Sequence, residues 1–341
     1  MRNYLNSRAS DLKQGGIRAF FDRAKSIENP INLGIGEPDL STPKPIIDEA
    51  YSAMLQGKTH YTQNAGDESV RRSIASYLRT FKADYDPNGE IIITCGGMGA
   101  VSMALLCTVS SEDEVIVQDP QWLNYKSQIK FCGGTPVCVP VYEKNRFSLH
   151  AADIEKCITE KTKILMINSP NNPTGAVLNK EELEAIAKLA IKHDLLVISD
   201  EVYCELLFDG LKHQTIASTP GMKERTIIIN SMSKTFAMTG WRLGFAAGPK
   251  DIIAKMTILQ ENLSACAPSP AQFAAKFALD TMCGVDKMRD LYQRRRDIIV
   301  DGLNKIPGVT CMRPCGSFYV FPNISSFGMS SMDFATGLLQ Q

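Results

Sequence analysis

Short apolar runs, rich in isoleucine and valine, recur through the middle of the chain with longer mixed stretches between them. They fall at residues 91–94, 114–117, 136–139, 163–167, 195–199, 226–230 and 243–247. Runs this short and this β-branched, bounded by glycine, proline or polar residues, read as strands buried on both faces. The segments between them carry helical patterns. One is apolar and spans 101–109, directly after a glycine cluster; another is charged and amphipathic and spans 180–193. This alternation predicts an α/β domain with a largely parallel sheet and helices on both faces. In such sheets the loops at the carboxyl ends of the strands carry the chemistry.

The two ends of the chain do not continue the alternation. Residues 286–305 form a long basic helical pattern, 309–321 read as a pair of strands around Arg313-Pro314-Cys315-Gly316, and 332–339 read as a helix. The expected organisation is an amino-terminal arm and part of a small domain over 1–45, a large domain over 46–285, and the rest of a smaller α+β domain over 286–341.

Composition narrows the function classes. A chain of 341 residues is long enough for about two domains and a large core. Lys+Arg and Asp+Glu balance at 37 each, so no overall field favours nucleic acid or an acidic surface. No stretch approaches the roughly eighteen apolar residues of a membrane span, and residues 1–7 lack the apolar core of a secretory signal. The ten cysteines include no CxxC pair. Burial as thiols in a reducing cytoplasm is the plain reading. His60, His150, His193 and His213 stand far apart, so no metal site is expected. Asn172-Pro173-Thr174 has proline in the middle of a sequon and is no glycosylation acceptor.

The strand ends hold unusual chemistry. Asn168 to Gly175 follow one predicted strand, Asp200-Glu201-Val202-Tyr203 the next, Ser231-Met232-Ser233-Lys234 a third, and Gly96, Gly97 and Gly99 a fourth. Glycines leading into a helix expose backbone N–H groups at the positive end of its dipole, a seat for phosphate. Hydroxyls of Ser231 and Ser233 and the Arg242 fork would complete that seat. Taken singly, a glycine before a helix is more often a turn and an arginine more often a surface charge. A nucleotide loop does not fit. Lys234-Thr235 follows Ser233, where a Walker A motif needs glycine, and Gly34-Ile35-Gly36-Glu37-Pro38-Asp39 has aspartate where a dinucleotide fingerprint needs its third glycine. A lysine beside a phosphate seat suggests pyridoxal phosphate held as a Schiff base. A free lysine is neutral in only roughly one molecule in 2,500 at pH 7, so its surroundings must favour deprotonation. The cofactor also needs a carboxylate at its ring nitrogen. Asp200 is the candidate, the plainer alternative being a helix cap.

Ser231-x-Ser233-Lys234-x-x-x-Met238-x-Gly240-Trp241-Arg242-x-Gly244 resembles the lysine motif of the class I/II aminotransferases, fold type I pyridoxal-phosphate enzymes. Gly34-x-Gly36-x-Pro38-Asp39, His60-Tyr61-Thr62-x-x-x-Gly66, Thr94-x-Gly96-Gly97, Pro120-x-Trp122-x-x-Tyr125, Asn171-Asn172-Pro173-Thr174-Gly175, Asp200-Glu201-x-Tyr203 and Gly316-Ser317-Phe318-Tyr319 are similar to the family's other motifs, in order along nearly the whole chain. The resemblance implies a mostly parallel seven-stranded sheet, an amino-group transfer between an L-amino acid and a 2-oxo acid, and a homodimer. Lys234 would form the Schiff base and shuttle the proton. Asp200 would pair with the ring nitrogen, Asn172 and Tyr203 would bond the ring's phenolic oxygen, and Trp122 would stack on the ring or else be a core aromatic. The backbone of Gly97 and Met98, with Ser231, Ser233 and Arg242, would seat the phosphate, and Tyr61 would come from the other subunit. Gly36, Trp122 and Asn172 would line the substrate.

The sequence departs from the family pattern at its end. It stops at Gln341 inside a helical pattern, where the family's small domain continues with the arginine that clamps the substrate carboxylate. A truncated chain is therefore expected. Two other outcomes stay open: a β-lyase on the same scaffold, or a remnant that binds cofactor without turnover. Side-chain selectivity is expected near Ile17 and Ile35.

Overall fold

The computed structural model describes Tyr4 and residues 31–340. Seven strands form one sheet: β1 (Ile91–Thr94), β2 (Glu114–Asp119), β3 (Thr135–Pro140), β4 (Thr162–Asn168), β5 (Leu196–Asp200), β6 (Thr226–Ser231) and β7 (Gly244–Ala247). Their order across the sheet is β1-β7-β6-β5-β4-β2-β3. Pairings from β3 through β6 are parallel, and β7 runs antiparallel to both β6 and β1. The carboxyl ends of β1, β2, β4, β5 and β6 thus lie along one edge, where β7 begins. Each isoleucine-rich run became a strand, as its pattern predicts.

Alternate strand residues feed two opposite cores. Ile164 and Met166 of β4, Ile198 of β5, and Ile227 and Ile229 of β6 join a core with the Gly96–Thr108 and Lys250–Ser264 helices. Leu165, Ile167 and Val197 face the other way, onto Leu183, Ile186 and Ala190 of the Lys180–Lys192 helix. That helix starts on a capping box, with the Asn179 side chain bonded to the Glu182 N–H and the Glu182 side chain to the Asn179 N–H. Such a cap is worth about 1 kcal/mol. On the same face, toward β1 and β7, Ile91, Ile93, Ile228 and Phe245 pack on Val70, Ile74 and Leu78 of the Glu68–Arg79 helix.

The chain's later part departs from expectation. The helix predicted over 286–305 is present as Val285–Leu303, but no strand pair forms over 309–321. Single bridges, Leu207 with Gly316 and Thr310 with Asn323, stand in that region. A strand needs a partner backbone along its length, and among the described residues this segment meets one only at scattered points, those bridges and the Gly175 carbonyl, which accepts from the Cys315 and Gly316 N–H groups at 3.1 Å. Arg296 anchors the long helix: its guanidinium bonds both Asp209 oxygens (2.6 and 2.8 Å) and the Pro314 carbonyl (3.2 Å). The last helix, Ser331–Leu339, buries none of its residues.

Candidate active site

The phosphate-seat candidates converge. Gly96 follows β1 and opens a helix with φ +77°, a left-handed conformation that glycine adopts without strain. A Cβ there would stand 2.5 Å from Arg242 Nη2, and one at Gly244 would stand 2.6 Å from the Gly97 nitrogen. The glycines therefore let three backbone segments and a guanidinium meet at one helix N-terminus. Ser231 ends β6, and its Oγ accepts from the Ser233 N–H at 3.0 Å and lies 2.8 Å from Ser233 Oγ. Both serines are buried. Met98, the third residue of the helix, is 42% exposed.

Lys234 lies on the short turn after β6 and reaches across to the substrate-loop candidate. Its Nζ donates to the Gly36 carbonyl at 2.5 Å and sits 5.5 Å from the Phe318 ring centre. Burial lowers its pKa to about 8, with Glu37 opposing and Arg242 adding to the shift. About a tenth of the amine is then neutral at pH 7, against roughly one part in 2,500 for a free lysine.

Asp200 ends β5 in the depth of the site. Tyr125 donates its hydroxyl to Asp200 Oδ2 at 2.5 Å, and the Val202 N–H donates to Oδ1 at 3.2 Å. Burial pushes the Asp200 pKa up to about 6, while the Tyr125 bond pulls it back. No helix follows Asp200, only a turn, so the plain helix-cap alternative does not hold. Trp122 packs edge to face on Tyr125, with ring centres 5.2 Å apart.

Asn172 and Tyr203 turn toward a single oxygen. Asn172 Nδ2 donates to the Tyr319 hydroxyl at 3.3 Å, and the Tyr203 hydroxyl lies 2.9 Å from it. Gly36 lies against the same tyrosine: a Cβ there would overlap the Tyr319 hydroxyl and stand 2.9 Å from its ring carbon Cζ. Tyr61 is not brought to this cluster within the chain and is 86% exposed. Ile35 is 52% exposed; Ile17 lies outside the described residues. Two contributors were missed as site residues, Tyr125 and Tyr319. Both sit in quoted motifs, three residues after Trp122 and two after Ser317, so their positions were visible but their partners were not. Among the described residues no cluster of His, Cys, Asp and Glu is placed to hold a metal.

A family model described as "Aminotransferase class I and II" matches residues 28–341. The chain belongs to that family. Aspartate aminotransferase of Pyrococcus abyssi is 43% identical over 99% of this chain and 87% of its own length. Aromatic-amino-acid aminotransferase 2 of Thermococcus litoralis is 42% identical with the same shares, 99% and 87%. The solved structure of aspartate aminotransferase from Thermus thermophilus with maleate superposes with a TM-score of 0.94 at 35% identity, covering 100% of this chain and 90% of that one. As a member of this aminotransferase family the protein is a pyridoxal-phosphate-dependent transferase of amino groups.

The residues present fit that cofactor. A glycine-lined helix N-terminus with two hydroxyls and a guanidinium suits its phosphate. A buried carboxylate that the Tyr125 and Val202 bonds help keep ionised at neutral pH, its pKa pushed up by burial only to about 6, suits a cationic ring nitrogen. Asn172 Nδ2 and the Tyr203 hydroxyl converge within hydrogen-bonding reach of one oxygen, the Tyr319 hydroxyl, an arrangement that suits a phenolic oxygen. A lysine eased toward neutrality by burial suits covalent attachment.

Proposed function

We propose that Lys234 attaches the cofactor covalently and is the base of the transfer, with the ends of β1, β4, β5 and β6 forming its site. The observation that carries this reading is the Lys234 Nζ, buried and held at 2.5 Å by the Gly36 carbonyl among those strand ends. Bound there, pyridoxal phosphate supplies an electron sink for the electrons released at the substrate's Cα. Once the substrate's amine has displaced it from the cofactor, the freed Lys234 Nζ would take the Cα proton, a transfer its tethering within the site favours by several kcal/mol. Asp200 holds the cationic ring nitrogen, and Tyr125 holds Asp200 ionised. Asn172 and Tyr203 bond the phenolic oxygen, while Trp122 covers the ring. The Gly97 and Met98 backbone, Ser231, Ser233 and Arg242 bind the phosphate. Gly36, Trp122 and Asn172 line the substrate.

Residues 46–285 form the cofactor-binding domain and 286–341 the smaller one, with 1–45 an amino-terminal arm and part of the smaller domain; Asp39 bonded to Arg295 of the long helix supports joining the two flanks. The working unit is a homodimer in which Tyr61 of one subunit completes the other's phosphate site. Support comes from the exposure of Tyr61 together with Tyr51 and Leu55 on the adjoining Lys44–Leu55 helix. No described helix is long and apolar enough to cross a membrane. Free thiols such as Cys95, Cys204 and Cys315 support a cytoplasmic setting.

Hydride trapping followed by peptide mass spectrometry tests the reading: a pyridoxyl label belongs on the Lys234 peptide, and a label elsewhere overturns it. Lys234→Ala abolishes turnover of aspartate or aromatic amino acids with 2-oxoglutarate, the donors suggested by the relatives' names. Glutamate, rather than pyruvate and ammonia, is the expected product.

A further inference from the structure

Asp200 and Glu201 are adjacent buried carboxylates that point to opposite faces of the sheet. Asp200 shares the face of Ile198 and meets Tyr125, a member of the same core as Ile198. Glu201 shares the face of Ser199 and points away from the site. There its Oε1 accepts from Ser199 Oγ at 2.8 Å and Thr215 Oγ1 at 2.6 Å, and its Oε2 lies 2.7 Å from His213 Nε2. The Glu201 and His213 side chains are each 3% exposed. Thr215 Oγ1 itself accepts from the Ala217 N–H at 3.3 Å, which commits its own hydrogen to Glu201. The Glu201 carboxylate is thus gripped by three side chains, two of them carried back by the loop that follows Tyr203.

A buried carboxylate is costly even when paired, and apolar side chains of similar size often serve stability as well or better. The position of this one gives a reason for it. Glu201 directly follows β5 and opens the turn to Tyr203: its N–H donates to the Ile229 carbonyl at 2.9 Å and its carbonyl accepts from the Cys204 N–H at 3.0 Å. Rotation at this residue would turn Asp200 and Tyr203 out of their mutual alignment. Resting on the function proposed above, we infer that Glu201, clamped by His213, is a positioning residue that fixes Asp200 and Tyr203 on the cofactor ring from behind the sheet. His213 lies twelve residues from Glu201 and does not enter the site.

The test uses the cofactor-loaded enzyme carrying a ring-¹⁵N label, with Glu201→Leu, His213→Leu and His213→Gln, whose amide can still donate to Glu201. Expected for both leucine variants is a kcat lowered about tenfold or more with KM within about twofold; Glu201→Leu should keep its thermal midpoint, while His213→Leu, which leaves the carboxylate unpaired, should lower it. The ring-nitrogen resonance should move toward that of a neutral pyridine, and His213→Gln should recover most of both signals. If Glu201→Leu does not fold, the His213 pair decides alone. Folded leucine variants with wild-type resonance and kcat overturn the inference, as does a His213→Gln enzyme no better than His213→Leu. Failure of the Lys234 label in wild-type protein would instead overturn the function on which this rests.

Discussion

Tyr125 donates its hydroxyl to the Asp200 carboxylate at 2.5 Å, joining the segment after β2 to the end of β5. The bond lowers the Asp200 pKa against the upward push of burial. Tyr125→Phe keeps the ring and its packing on Trp122 but removes that restraint. Asp200 then holds its proton to higher pH and serves less well as the partner of a ring cation. A bond to a charged acceptor is worth about 1.5–3 kcal/mol, so kcat should fall roughly tenfold or more at pH 7. The loss should shrink as pH is raised and Asp200 ionises again. A flat ratio of variant to wild-type kcat between pH 6 and 9, measured with saturating donor, would sink this account.

Lys234 and Asp200 should each cost the cofactor-free protein stability at neutral pH. Asp200 is raised from 3.8 to about 6 on folding, so the folded chain binds more protons in that interval and loses stability as pH rises through it. Lys234 is lowered from 10.5 to about 8; there the unfolded chain binds more protons, and stability returns as pH rises from 8 toward 10.5. Asp200→Asn and Lys234→Met should therefore stabilise the cofactor-free protein at pH 7, each by about 1–3 kcal/mol in urea unfolding. The Asp200→Asn gain should vanish below about pH 4, close to the unfolded carboxyl value. An unchanged gain at pH 4 would show that ionisation is not its cause.

What the sequence made legible follows from how each feature is encoded. The central strands of the sheet were readable because they are buried on both faces and so written as unbroken apolar runs, as in Ile227-Ile228-Ile229. The strand ends were readable because their polar residues stand directly after those runs. Side-chain partners across the fold were not. That Tyr125 meets Asp200, 75 residues away, depends on which face of β5 Asp200 occupies and on the path after β2, neither of which is a local property. Glu201 carried a motif position but no hint of His213. The strand pair read over 309–321 misled for a different reason: a segment able to pair still needs a neighbouring backbone along its length.

Gly36 is held close to Tyr319 by geometry that no larger residue allows. In Gly36→Ala the new methyl displaces either the tyrosine or the carbonyl that accepts from Lys234. A fall in kcat/KM of about tenfold or more is expected, in line with the cost of a misplaced reacting group. Tyr319→Phe would not relieve the conflict, because the ring carbon 2.9 Å away remains. Tyr319→Ala would, so the double variant should lose less than the sum of the two single losses. Strict additivity in steady-state assays would remove this contact from the explanation.

An ion pair between Asp39 and Arg295 ties down the substrate-loop candidate on its far side. Arg295 bonds both oxygens of Asp39 at 2.7 and 3.1 Å, and the Tyr292 hydroxyl lies 3.5 Å from the same carboxylate. The Arg295 bond holds the Asp39 carboxyl below its ordinary range, so the pair stays ionised across the neutral region. Both side chains are substantially exposed, and exposed pairs add only about 0–1 kcal/mol to stability. Their effect should appear in binding, because Asp39 closes the short loop whose Gly36 carbonyl receives Lys234 and whose Glu37 receives the Thr239 hydroxyl at 3.1 Å. Asp39→Asn should raise KM severalfold with little change in thermal midpoint, and the exchange Asp39→Arg with Arg295→Asp should recover part of it. Screening gives a second handle: wild-type KM should rise with added potassium chloride, and the Asp39→Asn enzyme should respond less. Equal salt dependence in the two enzymes would mean that the pair does not hold the loop in the substrate's path.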